Sequence, residues 1–72
     1  MPMTPEQFNN WFSYHAPSAE DQVKYVALRD AGKQLATVIN SLCPDSADKS
    51  DAIRKVREAV MTANASIACG GK

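Results

Sequence analysis

A chain of 72 residues, 44% hydrophobic, 22% charged and 7% aromatic, has the composition of one small soluble globular unit and is too short for two domains. Its eight basic residues balance its eight acidic ones, so it has no long-range positive field of the kind that gathers a DNA or RNA polymer. No apolar run approaches the roughly 18 residues of a membrane span, and Met1-Pro2-Met3-Thr4-Pro5-Glu6 has neither the basic nor the apolar region of a signal peptide, so the expected location is the cytoplasm.

Thr4-Pro5-Glu6-Gln7 offers a hydroxyl N-cap, a proline at the first helical position and a glutamine at the reciprocal capping-box position. A first helix is predicted from about residue 4 to about residue 13, with Phe8, Trp11 and Phe12 crowded on one side. Pro17 breaks that pattern by pushing Ala16 out of the helical region, and Ser18 with Asp21 supplies the next N-cap. A second helix is predicted over about 18–42, where Leu28, Ala31, Leu35, Val38 and Leu42 recur at alternating steps of three and four. Cys43-Pro44-Asp45-Ser46 ends it, and Asp45 or Ser46 can cap a third helix over about 46–69, which Gly70-Gly71 stops. Ile53, Val56, Val60, Ala63 and Ile67 repeat the same steps.

The fold class that follows is all-α, a short N-terminal helix plus an antiparallel two-helix hairpin in a single domain over 1–72. Leu42 is expected near Ile53 at the turn and Leu28 near Ile67 at the open end. A monomer this small buries only about 60% of the surface its unfolded chain exposes, so assembly into a homo-oligomeric helical bundle is expected. Cys43 at the turn and Cys69 at the far end are separated by about 24 Å of helix, which excludes a disulfide within one chain. Two lone cysteines also make no zinc site, so both read as small half-buried apolar residues, and no metal or cofactor is expected.

Gln22, Tyr25, Arg29, Lys33 and Asn40 fall within about 80° on the second helix, nearly opposite the predicted seam. Arg29 and Lys33, one turn apart, can hold an anionic oxygen, and Tyr25 adds a flat face; the plainer reading is a solvated helix face. Tyr14 and the only histidine, His15, occupy a non-helical joint stiffened by Pro17. Tyr14 can stack on a nucleobase there, or the two residues can simply seal the open end of the hairpin. Asp51 with Lys55 and Arg54 with Glu58 read as surface ion pairs, and Asn64 in its alanine-rich surroundings as a packing residue. One histidine, with no phosphate loop, nucleophile elbow or convergent carboxylate pair, assembles no catalytic site.

Phe12-Ser13-Tyr14-His15-Ala16-Pro17, Tyr25-x-x-Leu28-Arg29, Cys43-Pro44-Asp45-Ser46 with Lys49-Ser50, and Ala59-Val60-Met61-x-x-Asn64-Ala65-x-Ile67-Ala68 together resemble one family over about residues 12–68. It is the phage anti-defence cyclic-nucleotide sponges, whose helical hairpin domain occurs in anti-CBASS and anti-Thoeris proteins. The resemblance implies a homohexamer built as a trimer of dimers in the host bacterial cytoplasm. It also implies binding of cyclic dinucleotides of the 3′,3′-cyclic GMP-AMP type without cleavage, which keeps the signal from its CBASS effector. The ligand pocket it implies lies between subunits, with Tyr14 stacking on the bases, Arg29 meeting a phosphate, and Lys33 and His15 contributing. A cyclic trinucleotide pocket finds less support, because Cys69-Gly70-Gly71 stands where relatives carry a basic residue, with only Lys72 beyond.

A rival expectation of another class is a structural or protein-binding hairpin that docks a partner through Phe8, Trp11 and Phe12.

Overall fold

In a computed structural model, which describes residues 2–72, the chain forms three helices: α1 (Pro5–Trp11), α2 (Ala19–Leu42) and α3 (Ala47–Ala68). Each starts at a cap that can be read from neighbouring residues. Gln7 N–H donates to Thr4 Oγ1 at 3.2 Å while Thr4 N–H donates to Gln7 Oε1 at 2.8 Å, which completes the capping box of α1. Ser18 Oγ accepts from Asp21 N–H at 3.1 Å, and Ser46, rather than Asp45, caps α3 by accepting from Lys49 N–H at 3.1 Å. α1 stops at Trp11, two residues short of the expected end, with Phe12 at its C-cap. α3 ends in a Schellman turn: Gly71 N–H donates to Ser66 O at 2.8 Å and Gly70 N–H to Ile67 O at 3.1 Å. That turn needs the left-handed backbone of Gly70 (φ 65°) and Gly71 (φ 77°).

α2 and α3 pack as the expected antiparallel hairpin, but α2 presents a different face. The half-buried residues of α2 are Asp21, Tyr25, Leu28, Gly32, Ala36 and Ile39, a stripe turned by about 80° from the predicted one. Leu35, Val38 and Leu42 are instead 52%, 46% and 78% exposed, and Ala31 is exposed too. The register also differs from expectation. Gly32 lies against Val56 and Val60, which sets Leu28 beside the Ala63 turn instead of Ile67. The physical reason is size, because Gly32 and Ala36 let the α3 valines approach the α2 backbone and leave the larger side chains facing outward. The predicted α3 stripe of Ile53, Val56, Val60, Ala63 and Ile67 is half-buried throughout.

A Cβ at Gly32 would sit 2.5 Å from Val60 Cγ2, closer than any real contact. Gly32→Ala should therefore cost about 1–3 kcal/mol in overpacking strain, against the roughly 1 kcal/mol that alanine gains in helix propensity. The expected result is a melting temperature several degrees lower at equal protein concentration, restored in Gly32→Ala/Val60→Ala; a rise in the single variant would contradict this packing.

The hairpin is long and thin, 45 × 32 × 15 Å with a radius of gyration of 15.4 Å, against about 11 Å for a compact chain of this length. No described residue is fully buried. The accessible surface is 5908 Å², where a folded monomer of 7.8 kDa exposes about 4,400 Å², so about 1,500 Å² more is uncovered than a finished monomer leaves.

The charged side chains contribute little. Asp51 and Lys55 form the expected ion pair at 3.0 Å, whereas Arg54 and Glu58 do not pair; Lys49 reaches Asp45 at 2.9 Å across the turn. The Lys49 ammonium, by its hydrogen bond and then its charge, holds the Asp45 carboxyl below the usual carboxylate range. That contribution is complete at neutral pH and is lost as pH falls through the lowered value. Asp45 is fully exposed, so Asp45→Asn is expected to leave the melting curve at neutral pH nearly unchanged.

Candidate functional site

Between α1 and α2, residues 12–18 form the joint that carries Tyr14 and His15, and the backbone chemistry of α1 decides how the two are held. A helix leaves its last carbonyls without intrahelical donors. Here Phe12 N–H takes the Phe8 carbonyl at 3.0 Å, Ser13 Oγ donates to the Asn9 carbonyl, and His15 Nε2 donates to the Asn10 carbonyl at 2.6 Å. Ser13 and His15 are thus both turned back onto α1. Tyr14, between them, is 86% exposed.

The same α1 end is fastened to α3. Asn10 Nδ2 donates to the Cys69 carbonyl at 3.1 Å, Cys69 Sγ lies 3.9 Å from the Asn10 carbonyl, and Trp11 Nε1 donates to the Lys72 carbonyl at 3.4 Å. Phe8 and Phe12 stack on each other with ring centroids 6.3 Å apart. On one side of this junction a groove of about 460 Å³ is lined by Glu6, Asn10, His15, Cys69 and Lys72. On the other an apolar groove of about 640 Å³ runs past Trp11, Phe12, Met61 and Ala65. His15 therefore lines a groove at the open end of the hairpin, while Tyr14 lines neither groove.

Both cysteines are free, as expected. Cys43 is exposed at the end of α2 instead of half-buried, and Cys69 is half-buried against Asn10.

Arg29 and Lys33 stand one turn apart on the exposed side of α2, and among the described residues neither forms an ion pair. Tyr25, expected beside them on the polar stripe, is half-buried, one turn before Arg29. None of the three grooves, the third being an apolar one of about 480 Å³ between α2 and α3, is lined by Tyr14, Arg29 or Lys33. One chain presents these three side chains to solvent. Among the described residues no group of histidine, cysteine or carboxylate side chains is placed to hold a metal ion.

Two features escaped sequence reasoning. Asn10 joins the joint to α3 through its carbonyl as well as its amide, and nothing in the sequence set it apart from Asn9 beside it. Asn64 Oδ1 is buried without a hydrogen-bond partner, although its place in a stripe of small residues was legible.

A family model described as Acb2/Tad1, hairpin domain, matches residues 4–68, from the N-cap of α1 to the last residue of α3. No curated protein matches the chain, and no solved structure does.

Proposed function

Because the chain belongs to the Acb2/Tad1 hairpin-domain family of phage anti-defence cyclic-nucleotide sponges, which are binding proteins and not enzymes, we propose that it captures a cyclic dinucleotide of the 3′,3′-cyclic GMP-AMP type. It holds the nucleotide uncleaved in the cytoplasm of the host bacterium, so that the CBASS effector is not activated. The observation that carries this reading is the presentation of Tyr14, an aromatic ring 86% exposed on a joint whose neighbours are both bonded back to α1. An exposed ring on a fixed mount is what stacking on a base requires. Arg29 and Lys33, free of competing carboxylates, supply the charge for phosphates.

The ligand has two bases and two phosphates, so a two-fold axis between chains would meet it with two Tyr14 rings and two Arg29 side chains. Assembly as a homohexamer, a trimer of dimers, fits the uncovered surface of about 1,500 Å² per chain, nearly twice the roughly 800 Å² that each partner buries in an ordinary interface. It also fits the two separate apolar regions, the Leu35–Leu42 ridge of α2 and the Trp11–Met61 groove. No described helix is long and apolar enough to cross a membrane.

Calorimetric titration with 3′,3′-cyclic GMP-AMP, followed by heat denaturation and chromatography of the released nucleotide, tests the proposal. Tight binding, one ligand per two chains and intact nucleotide are expected; linear product would overturn the sponge reading. Arg29→Ala removes two charge-assisted hydrogen bonds from a two-fold site and should weaken binding about 100-fold or more, and Lys33→Ala less. Unchanged affinity in Arg29→Ala would remove Arg29 from the site.

The exposure of Phe8, Trp11 and Phe12 and the apolar groove beside them favour the second reading, a hairpin that docks a partner protein. Absence of heat with cyclic dinucleotides, together with a protein captured in fixed ratio and lost in Trp11→Ala, would establish it.

A further inference from the structure

We propose that His15 and Asn10 are positioning residues for ligand capture, acting through Tyr14 and not by touching the nucleotide; this rests on the reading of Tyr14 as the stacking residue. Three observations lead here. His15 is half-buried and its Nε2 lies 2.6 Å from the Asn10 carbonyl, so that ring nitrogen faces the protein. Asn10 uses both its carbonyl and its side-chain amide for contacts outside α1: the carbonyl receives His15 Nε2 with Cys69 Sγ 3.9 Å away, and the amide holds the Cys69 carbonyl at 3.1 Å. Ser13, on the other side of Tyr14, holds the Asn9 carbonyl.

Tyr14 therefore sits between two anchors on α1, and α1 in turn is tied to the end of α3 through Asn10. The ring itself makes almost no contact that could fix it. Its orientation is set by its neighbours, so that little freedom of the 13–15 segment remains to be lost when a base stacks on it. Without the His15 anchor the segment has more conformations to give up on binding, and affinity falls although no ligand contact has been removed.

A double-mutant cycle on the full chain, read by calorimetry with 3′,3′-cyclic GMP-AMP and by size-exclusion chromatography, tests the inference. His15→Ala is expected to weaken binding about tenfold with the oligomer intact. His15→Gln, whose amide N–H can reach the Asn10 carbonyl, should recover most of that loss, and in a Tyr14→Ala background His15→Ala should change nothing further. Losses that add fully in the double variant would mean that His15 touches the ligand itself and would overturn the proposal. So would wild-type affinity in His15→Ala alongside weak binding in Tyr14→Ala. If Tyr14→Ala binds normally, the stacking reading itself fails, which is a separate outcome. Should His15→Ala assemble poorly, Ser13→Ala decides the matter: a smaller loss, absent in the Tyr14→Ala background, is expected, and a loss that persists there is contrary.

Discussion

Tyr14→Ala is expected to reduce affinity for 3′,3′-cyclic GMP-AMP by about 100-fold or more without changing assembly. Stacking on an aromatic ring is worth about 1–3 kcal/mol per base, and two rings across a two-fold site put about 2–6 kcal/mol at stake, from about 30-fold to more than 10,000-fold in the dissociation constant. Folding should be untouched, because a side chain 86% exposed holds little of the hairpin together, and such substitutions stay within about 0.5 kcal/mol. Tyr14→Phe keeps the flat face and should keep most of the affinity. Calorimetry of both variants, with melting curves run beside them, separates stacking from folding. Equal affinity for the alanine variant and the parent would show that the bases rest elsewhere.

Leu35→Glu is expected to break the assembly and, with it, ligand binding. In the single chain Leu35 is 52% exposed at the rim of the apolar groove between α2 and α3, so a charge there stays hydrated and would cost the hairpin only about 1 kcal/mol. Placed against another copy, the same carboxylate would be desolvated without a partner at every symmetry-related contact, and that penalty is several kcal/mol per ion. The two cases are far apart in sedimentation velocity: a species of one or two chains for the variant against a larger one for the parent. An unchanged sedimentation profile would mean that the Leu35–Leu42 ridge faces water in the assembly, and the contact would then have to be sought at Trp11 and Met61.

The helix ends were legible because each is a local matter. Thr4 with Gln7, Ser18 with Asp21 and Ser46 with Lys49 satisfy their bonds within four residues, and Gly70-Gly71 is the one place where a left-handed turn is inexpensive. The face of α3 was legible for a similar reason, since it has one apolar stripe. α2 has two, sharing Leu28, and the stripe of larger side chains was the easier to see. Hydrophobic spacing cannot weigh a glycine, and Gly32 against Val60 is what turns the helix. Tyr14, Arg29 and Lys33 could be proposed for the site because their chemistry lies in their side chains. Asn10 could not, because half of what it does is done by a carbonyl that every residue possesses.

That one chain leaves Tyr14, Arg29 and Lys33 outside all three of its grooves has a quantitative consequence for the proposed sponge. A pocket completed only where chains meet makes ligand binding and association thermodynamically linked: whatever factor the nucleotide adds to association, association adds to nucleotide affinity. Scarce protein is then mostly dissociated and nearly blind to the signal, while protein near the dissociation constant of the assembly gathers both chains and nucleotide together. Trapping capacity thus rises faster than in proportion to protein concentration, with a threshold that the concentration of the messenger itself lowers.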